Sequence, residues 1–113
     1  MSAPMQEPTF LILASLAEQA LHGYGVIQAV AKLSDNRVKL PPGTLYGALE
    51  RLTGQGLVAA DREEVTDGRL RRYYRLTDEG AEVLSHEARR LSSNAEAAMA
   101  GLRRGGRTGL AHG

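Results

Sequence analysis

The stretch from Lys39 to Leu76, KLPPGTLYGALERLTGQGLVAADREEVTDGRLRRYYRL, decides the fold. Its first half predicts a short helix that Pro41-Pro42-Gly43 opens and Gln55-Gly56 closes. Its second half predicts a hairpin with Asp67-Gly68-Arg69 at the tip, since Asp-Gly is a strong signal for a hairpin turn. A slim helix followed directly by a basic hairpin is the sequence pattern of a winged helix-turn-helix, which favours DNA binding.

The short helix has an apolar side and a side of small residues. Helical spacing places on the apolar side Leu45, Ala48, Leu49 and Leu52, and on the opposite side Gly43, Gly47, Glu50 and Gly54, with Thr44, Tyr46 and Arg51 flanking. A glycine inside a helix costs roughly 1 kcal/mol relative to alanine. Close approach to a DNA groove would explain Gly47, and a tolerated surface glycine is the alternative.

The return strand of the hairpin alternates between two faces. One face carries Leu70, Arg72, Tyr74 and Leu76, and the other carries Arg69, Arg71, Tyr73 and Arg75. One face can therefore pack while the other presents guanidinium groups. Arg69 at the tip is placed to reach a phosphate or the minor groove.

Two helices are predicted before this stretch. The first, Thr9 to Gln19, is apolar on nearly every face, so one side needs a partner chain in so small a domain. The second runs from about Tyr24 to Leu33 and has a buried stripe of Val26, Ile27, Val30 and Leu33. The break between the two helices falls at His22-Gly23.

The last predicted helix begins after Thr77, a good N-cap, and runs to about Leu102. Its apolar residues form a heptad seam: Ala81, Leu84, Ala88, Leu91, Ala95, Ala98 and Leu102. We expect this seam to pair with a second copy, together with Phe10 and Leu13 of the first helix. The domains expected are a winged helix over residues 1–76, a dimerisation helix over 77–104 and a disordered tail over 105–113. The fold class is mainly α (α+β).

The composition is that of an ordinary soluble domain. The chain has 113 residues, no cysteine and a net charge of +1, and no signal peptide or membrane span is recognisable, so a cytoplasmic protein is expected. The charge is unevenly distributed. Residues 37–75 carry eight Lys or Arg against five Asp or Glu, where phosphate neutralisation would need them.

The chain resembles the PadR family of bacterial transcriptional regulators over residues 6–104. The motifs that carry the resemblance are EPTFLILASLAEQALHGYGVIQAV, LPPGTLYGALERLTGQGLV and DGRLRRYYRLTDEG. The resemblance implies a homodimeric repressor with no cofactor that places its third helix in the major groove of a pseudo-palindromic operator. It also implies release by a small, often aromatic, effector. The residues that match the family's DNA-contacting positions are Tyr24, Lys39, Thr44, Tyr46, Gly47, Arg51, Arg69, Arg71 and Arg72.

Several alternatives stay open. Arg71 shares a face with Arg69 and is a better DNA contact than Arg72, and Arg51 could equally form an ion pair. The three histidines, His22, His86 and His112, are scattered, so no metal site is expected. No Ser-His-acid set, carboxylate pair or phosphate loop is present, so no enzyme is expected. A winged-helix module that binds a protein instead of specific DNA is the alternative function.

Overall fold

A computed structural model describes residues 5–107. Along this part of the chain the elements are α1 (Glu7–Ser15), β1 (Leu21–His22), α2 (Gly23–Leu33), α3 (Pro42–Gly54), β2 (Val58–Thr66), β3 (Arg69–Leu76) and α4 (Asp78–Arg104). This arrangement confirms the predicted fold class, a mainly α winged helix-turn-helix with a long final helix.

The three strands form one antiparallel sheet in the order β1-β3-β2. Asp67 and Gly68 both have positive φ, +52° and +74°, as the predicted tight hairpin turn requires. The short strand β1 was not predicted. It lies at the break between the first two helices, where Leu21 pairs with Tyr74 and His22 with Tyr73, so the hairpin is joined to the start of α2.

The core is formed by α1, α2 and α3 with the start of β2. The predicted stripe of α3 is confirmed, because Leu45, Ala48, Leu49 and Leu52 are all buried. In α2 the stripe holds for Val26 and Val30, but Leu33 at the last position is 54% exposed. The prediction for Leu33 was therefore wrong: α2 ends at this residue, and its side chain is directed away from the core that buries Val26 and Val30.

The first helix is shorter than predicted and more deeply covered by its own chain. It ends at Ser15, whose hydroxyl donates to the Ile12 carbonyl at 2.6 Å. Leu13 is 0% exposed, so no partner chain can contact it, and its assignment to a dimer interface was wrong. Phe10, in contrast, is only half-buried at the edge of the core.

The last helix begins as predicted, with the Thr77 hydroxyl accepting a 2.9 Å hydrogen bond from the Gly80 backbone N–H. Beyond its first turns it has little cover from the rest of the described chain: Ala88, Leu91, Ala95 and Ala98 are exposed, and Leu84 and Leu102 are half-buried. The helix ends in a cap in which the Arg107 N–H donates to the Leu102 carbonyl at 2.8 Å. Residues 105–107 form this cap, and the remainder of the predicted tail, 108–113, lies outside the described residues.

Candidate nucleic-acid interface

The outer face of α3 is open. Thr44, Tyr46 and Gly47 are exposed, as is Lys39 just before the helix. A Cβ built on Gly47 meets nothing within 4 Å, so no packing within the described chain requires glycine there. The face opposite the core is therefore slim and unobstructed, as a groove-binding helix needs.

A cleft of about 580 Å³ lies between the wing and the starts of α2 and α3. The lining residues are His22, Gly23 and Tyr24 at the start of α2, Tyr46 of α3, and Glu63, Arg69, Leu70, Arg71, Arg72 and Tyr74 of the wing. Five of the nine predicted DNA-contacting residues thus come together here: Tyr24, Tyr46, Arg69, Arg71 and Arg72. The other four, Lys39, Thr44, Gly47 and Arg51, do not line the cleft.

The ring of Tyr46 in α3 packs directly against Gly23 in the first turn of α2. A Cβ on Gly23 would lie 2.8 Å from Cζ of Tyr46, closer than a real methyl group could approach. The absence of a side chain at Gly23 therefore lets the phenol ring lie against the first turn of α2. This contact directs the Tyr46 side chain, which is half exposed, toward the cleft.

The wing arginines have different environments. Arg69 at the tip is exposed, as predicted. Arg72 donates to the Glu63 carboxylate at 3.3 Å, and this hydrogen bond is the main cause that raises the pKa of Arg72 above its ordinary value. Arg71 is half-buried, with Nη1 at 2.7 Å from Nε2 of His22.

Arg51 faces the first helix. Its Nη2 donates to the Thr9 hydroxyl at 3.0 Å, so the side chain crosses from α3 to α1 and leaves the outer face of α3. The sequence had offered an ion pair as the alternative to a DNA contact, and the described partner is a hydroxyl.

His22 was not among the predicted interface residues, although it lines the cleft. Its Nδ1 accepts a 2.9 Å hydrogen bond from the Gly25 N–H, so the imidazole caps the start of α2. The ring also makes an edge contact with Tyr73, at 5.3 Å between centroids, and the Arg62 guanidinium lies over the Tyr73 ring at 4.0 Å from its centroid. The signal in the sequence was a histidine directly before a helix start, a position that favours side chains able to accept hydrogen bonds.

The cleft combines cations and hydroxyl groups, the chemistry of an anion-binding surface. Among residues 5–107, three arginines and one carboxylate line the cleft, and this carboxylate, on Glu63, already accepts a hydrogen bond from Arg72. Within residues 5–107, no group of three His, Asp or Glu side chains could hold a metal ion. No helix in the same range is long and apolar enough to cross a membrane.

Comparison with known proteins assigns the family. The model of the transcriptional regulator PadR-like family matches residues 12–86. The chain is 37% identical over 90 residues to the transcriptional regulator Rv3488 of Mycobacterium tuberculosis, and this match covers 80% of either protein.

Solved structures of similar fold include a PadR-like transcription factor from Bacteroides fragilis, with a TM-score of 0.66 and 29% identity over 80% of this chain and 84% of that one. PadR of Bacillus subtilis, solved in complex with operator DNA, has the same fold, with a TM-score of 0.65 and 24% identity over 74% of this chain and 47% of that one. The sequence predicted a transcriptional regulator and not an enzyme, and the matched proteins are transcriptional regulators. The chain belongs to the PadR-like family of transcriptional regulators.

Proposed function

We propose that the chain is a sequence-specific DNA-binding repressor that acts as a homodimer in the bacterial cytoplasm. The observation that carries the proposal is the cleft beside α3, which is lined both by Arg69, Arg71 and Arg72 and by the tyrosines Tyr24 and Tyr46. DNA phosphates are bound by such sets of guanidinium and hydroxyl donors. The operator complex of Bacillus subtilis PadR supports the same use of this fold.

In this proposal α3 enters the major groove, with Thr44, Tyr46 and Gly47 against the DNA and Lys39 at a flanking phosphate. The wing lies beside it, with Arg69 at the minor groove. The outer face of α3 presents few side chains of the kinds that read base edges, since Arg51 is directed to Thr9. We therefore expect DNA shape and backbone contacts to supply much of the specificity.

The dimer contact is proposed to involve the seam of α4 together with Phe10. The helix is 27 residues long, or about 40 Å, and residues 91–99 in its second half are all exposed. Leu91 and Met99 in that half are 41% and 54% exposed. An isolated helical segment with an uncovered apolar stripe is marginal in water, so a second copy of the helix is the expected cover.

A small aromatic effector is proposed to bind between the first and last helices of the dimer. Dimeric helix-turn-helix proteins dock two recognition helices about 34–36 Å apart. A ligand that changes the angle between subunits would change this separation and release the operator. Equal DNA affinity in the presence and absence of every ligand that binds the dimer would remove this part of the proposal.

The experiment is a fluorescence anisotropy titration of the purified protein with the DNA upstream of its own gene, across a salt series. We expect sequence-preferring binding that weakens as salt rises. The variant Arg69→Ala/Arg71→Ala should lose at least about tenfold in affinity, because two positively charged wing contacts to DNA are removed. The matched control is Arg89→Ala/Arg104→Ala, which removes the same charge from α4. Unchanged affinity in the wing variant would contradict the wing contacts.

One observation favours the second candidate, a winged helix that binds another protein. Val65 and Leu70 are directly paired across the wing and are 73% and 64% exposed, so the hairpin carries an apolar patch as well as arginines. If the wild-type protein shows no salt-dependent DNA binding at all, this patch becomes the first surface to test for a protein partner.

A further inference from the structure

The two ring nitrogens of His22 have different hydrogen-bonding roles. Nδ1 lies 2.9 Å from the backbone nitrogen of Gly25, and a backbone N–H can only donate, so Nδ1 must be the unprotonated acceptor. In a neutral imidazole the other nitrogen then carries the hydrogen. The cap on α2 therefore makes Nε2 of His22 a donor.

The neighbour of the His22 Nε2–H is also a hydrogen-bond donor, the guanidinium of Arg71. Nε2 of His22 lies 2.7 Å from Nη1 of Arg71, and a guanidinium has no acceptor. The pair therefore cannot share a hydrogen bond while His22 caps α2. If the imidazole took the opposite tautomer, Nε2 could accept from Arg71, but the Gly25 N–H would lose its acceptor. One neutral ring can satisfy only one of its two neighbours.

Arg71 has a further unmet donor. Its Nε is buried and finds no hydrogen-bond acceptor among residues 5–107. A buried donor without an acceptor is costly, and such groups in proteins are usually satisfied by a ligand or ordered water. The His22 Nε2–H and the Arg71 Nη1 are therefore adjacent donors in the cleft wall with no acceptor among residues 5–107, and the buried Nε is a further unmet donor of the same guanidinium.

The group that fits such a set is an anion with several oxygens. We infer that His22 is a further DNA-binding residue, whose Nε2–H and the Arg71 guanidinium together bind one backbone phosphate while Nδ1 caps α2. The inference rests on the proposed function. The cleft has room for the phosphate, Arg69 and Arg72 add positive charge to its lining, and the Glu63 carboxylate, which also lines it, is paired with Arg72.

In this proposal the His22 ring binds a phosphate through Nε2–H in addition to capping α2 through Nδ1. Phosphate binding would resolve the conflict between His22 and Arg71 by supplying the missing acceptor. It would also join the start of α2 to the wing through one bound oxygen group. A histidine with only a capping role would use Nδ1 alone.

Two substitutions separate the roles because they keep different nitrogens of the ring. In His22→Asn the side-chain oxygen takes the position of Nδ1, which keeps the cap and removes the Nε2 donor. In His22→Gln the amide reaches the position of Nε2, which keeps a donor and weakens the cap. DNA affinity is measured by anisotropy with a duplex enriched by the wild-type protein from a random-sequence library, and the melting temperature is measured on the same samples.

We expect His22→Asn to melt like wild type and to bind the duplex about tenfold more weakly, since a hydrogen bond to a charged group is lost. We expect His22→Gln to melt about 4 °C lower, as the loss of a cap implies, and to bind within about threefold of wild type. A purely capping residue would give the reverse order. Wild-type affinity in His22→Asn would overturn the inference.

A second readout is the tautomer of His22, followed by long-range proton–nitrogen NMR of the ring. The Nε2–H form is expected in the free protein, and its Nε2–H resonance should move when the duplex is added. The Nδ1–H form in the free protein would overturn the inference whether or not DNA binds. If millimolar inorganic phosphate shifts this resonance and the duplex does not, the ligand is free phosphate and the DNA assignment is overturned. If the wild-type protein binds no duplex, the proposed function fails on its own.

Discussion

The guanidinium of Arg51 donates a 3.0 Å hydrogen bond to the hydroxyl of Thr9, which ties the last turn of α3 to the first turn of α1. This contact draws the arginine away from the outer face of α3. The two helices are distant in sequence, so the partner of Arg51 could not be identified from the spacing of α3 alone.

The first prediction is that Arg51→Ala leaves DNA affinity within about twofold of wild type, because the side chain holds α1 rather than a phosphate. Its free energy of unfolding should fall by about 0.5–1 kcal/mol, the usual contribution of an exposed hydrogen bond. Thr9→Val should produce a similar loss, and the double variant should add little to either. These quantities are measured by anisotropy and by urea unfolding. An affinity loss as large as that of the wing double variant would return Arg51 to the DNA-contacting set.

The second prediction concerns Gly23, on which the ring of Tyr46 rests. In Gly23→Ala the new methyl group meets the phenol, and the half-exposed ring can move toward solvent at little cost. We expect stability within about 1 kcal/mol of wild type, since alanine also favours the helix. DNA affinity should fall about as far as in Tyr46→Ala, and adding Gly23→Ala to Tyr46→Ala should cause no further loss. Additive losses in the double variant would show that Gly23 does not act through Tyr46.

The third prediction concerns Gly47 on the outer face of α3. Because a Cβ there meets nothing within the described chain, Gly47→Ala should raise the free energy of unfolding by up to about 1 kcal/mol through helix propensity. The same methyl group should lower DNA affinity if the groove approaches the backbone closely. Gly101→Ala, equally open and within α4, is the control and should stabilise without changing affinity. Unchanged affinity in Gly47→Ala would favour a tolerated surface glycine.

The helices and the hairpin could be predicted from the sequence because their signals are local. Helical spacing identified the buried side of α3, and Asp67-Gly68 identified the turn. The errors involve contacts between distant segments. Leu13 is buried because α1 is covered by the rest of its own chain, which the helix's own apolar pattern cannot distinguish from cover by a partner.

In the candidate site, too, local signals were predicted correctly and contacts between distant segments were not. The arginines of the wing were found from alternation along one strand. His22 was missed because its place in the cleft depends on β1, a two-residue strand that exists only through pairing with β3. Two residues carry too little periodicity to predict a strand, so neither the pairing nor the proximity of His22 to Arg71 could be foreseen.

The fourth prediction concerns pH and Glu87, a buried residue of α4 that accepts hydrogen bonds of 3.0 and 2.6 Å from Arg90. These bonds hold the pKa of Glu87 below its ordinary value of 4.5, and the Met5 backbone N–H acts in the same direction. A carboxyl with a depressed pKa stabilises the fold above its unfolded pKa, and the contribution is lost as pH falls through the folded pKa.

Glu87→Gln should therefore melt at a lower temperature than wild type at pH 7, and the difference should shrink as the pH falls below about 4.5. The measurement is thermal unfolding by circular dichroism from pH 7 to pH 2.5. Glu96→Gln, an exposed position on the same helix, is the control and should track wild type throughout. A difference that stays constant across this range would mean that the carboxylate form of Glu87 contributes nothing to stability.

The fifth prediction concerns the proposed dimer. Leu91 lies in the middle of the α4 seam with its side chain 41% exposed, and Ser92 is the next residue, off the seam. Leu91→Glu would place a charge in each copy at the centre of the proposed contact, so we expect the dimer to dissociate at micromolar concentration. Helical content should fall as well, because the second half of α4 would lose its cover. Ser92→Glu adds the same charge outside the seam and should stay dimeric. Analytical ultracentrifugation with circular dichroism measures both effects, and a Leu91→Glu protein that remains a fully helical dimer would place the subunit contact elsewhere on the chain.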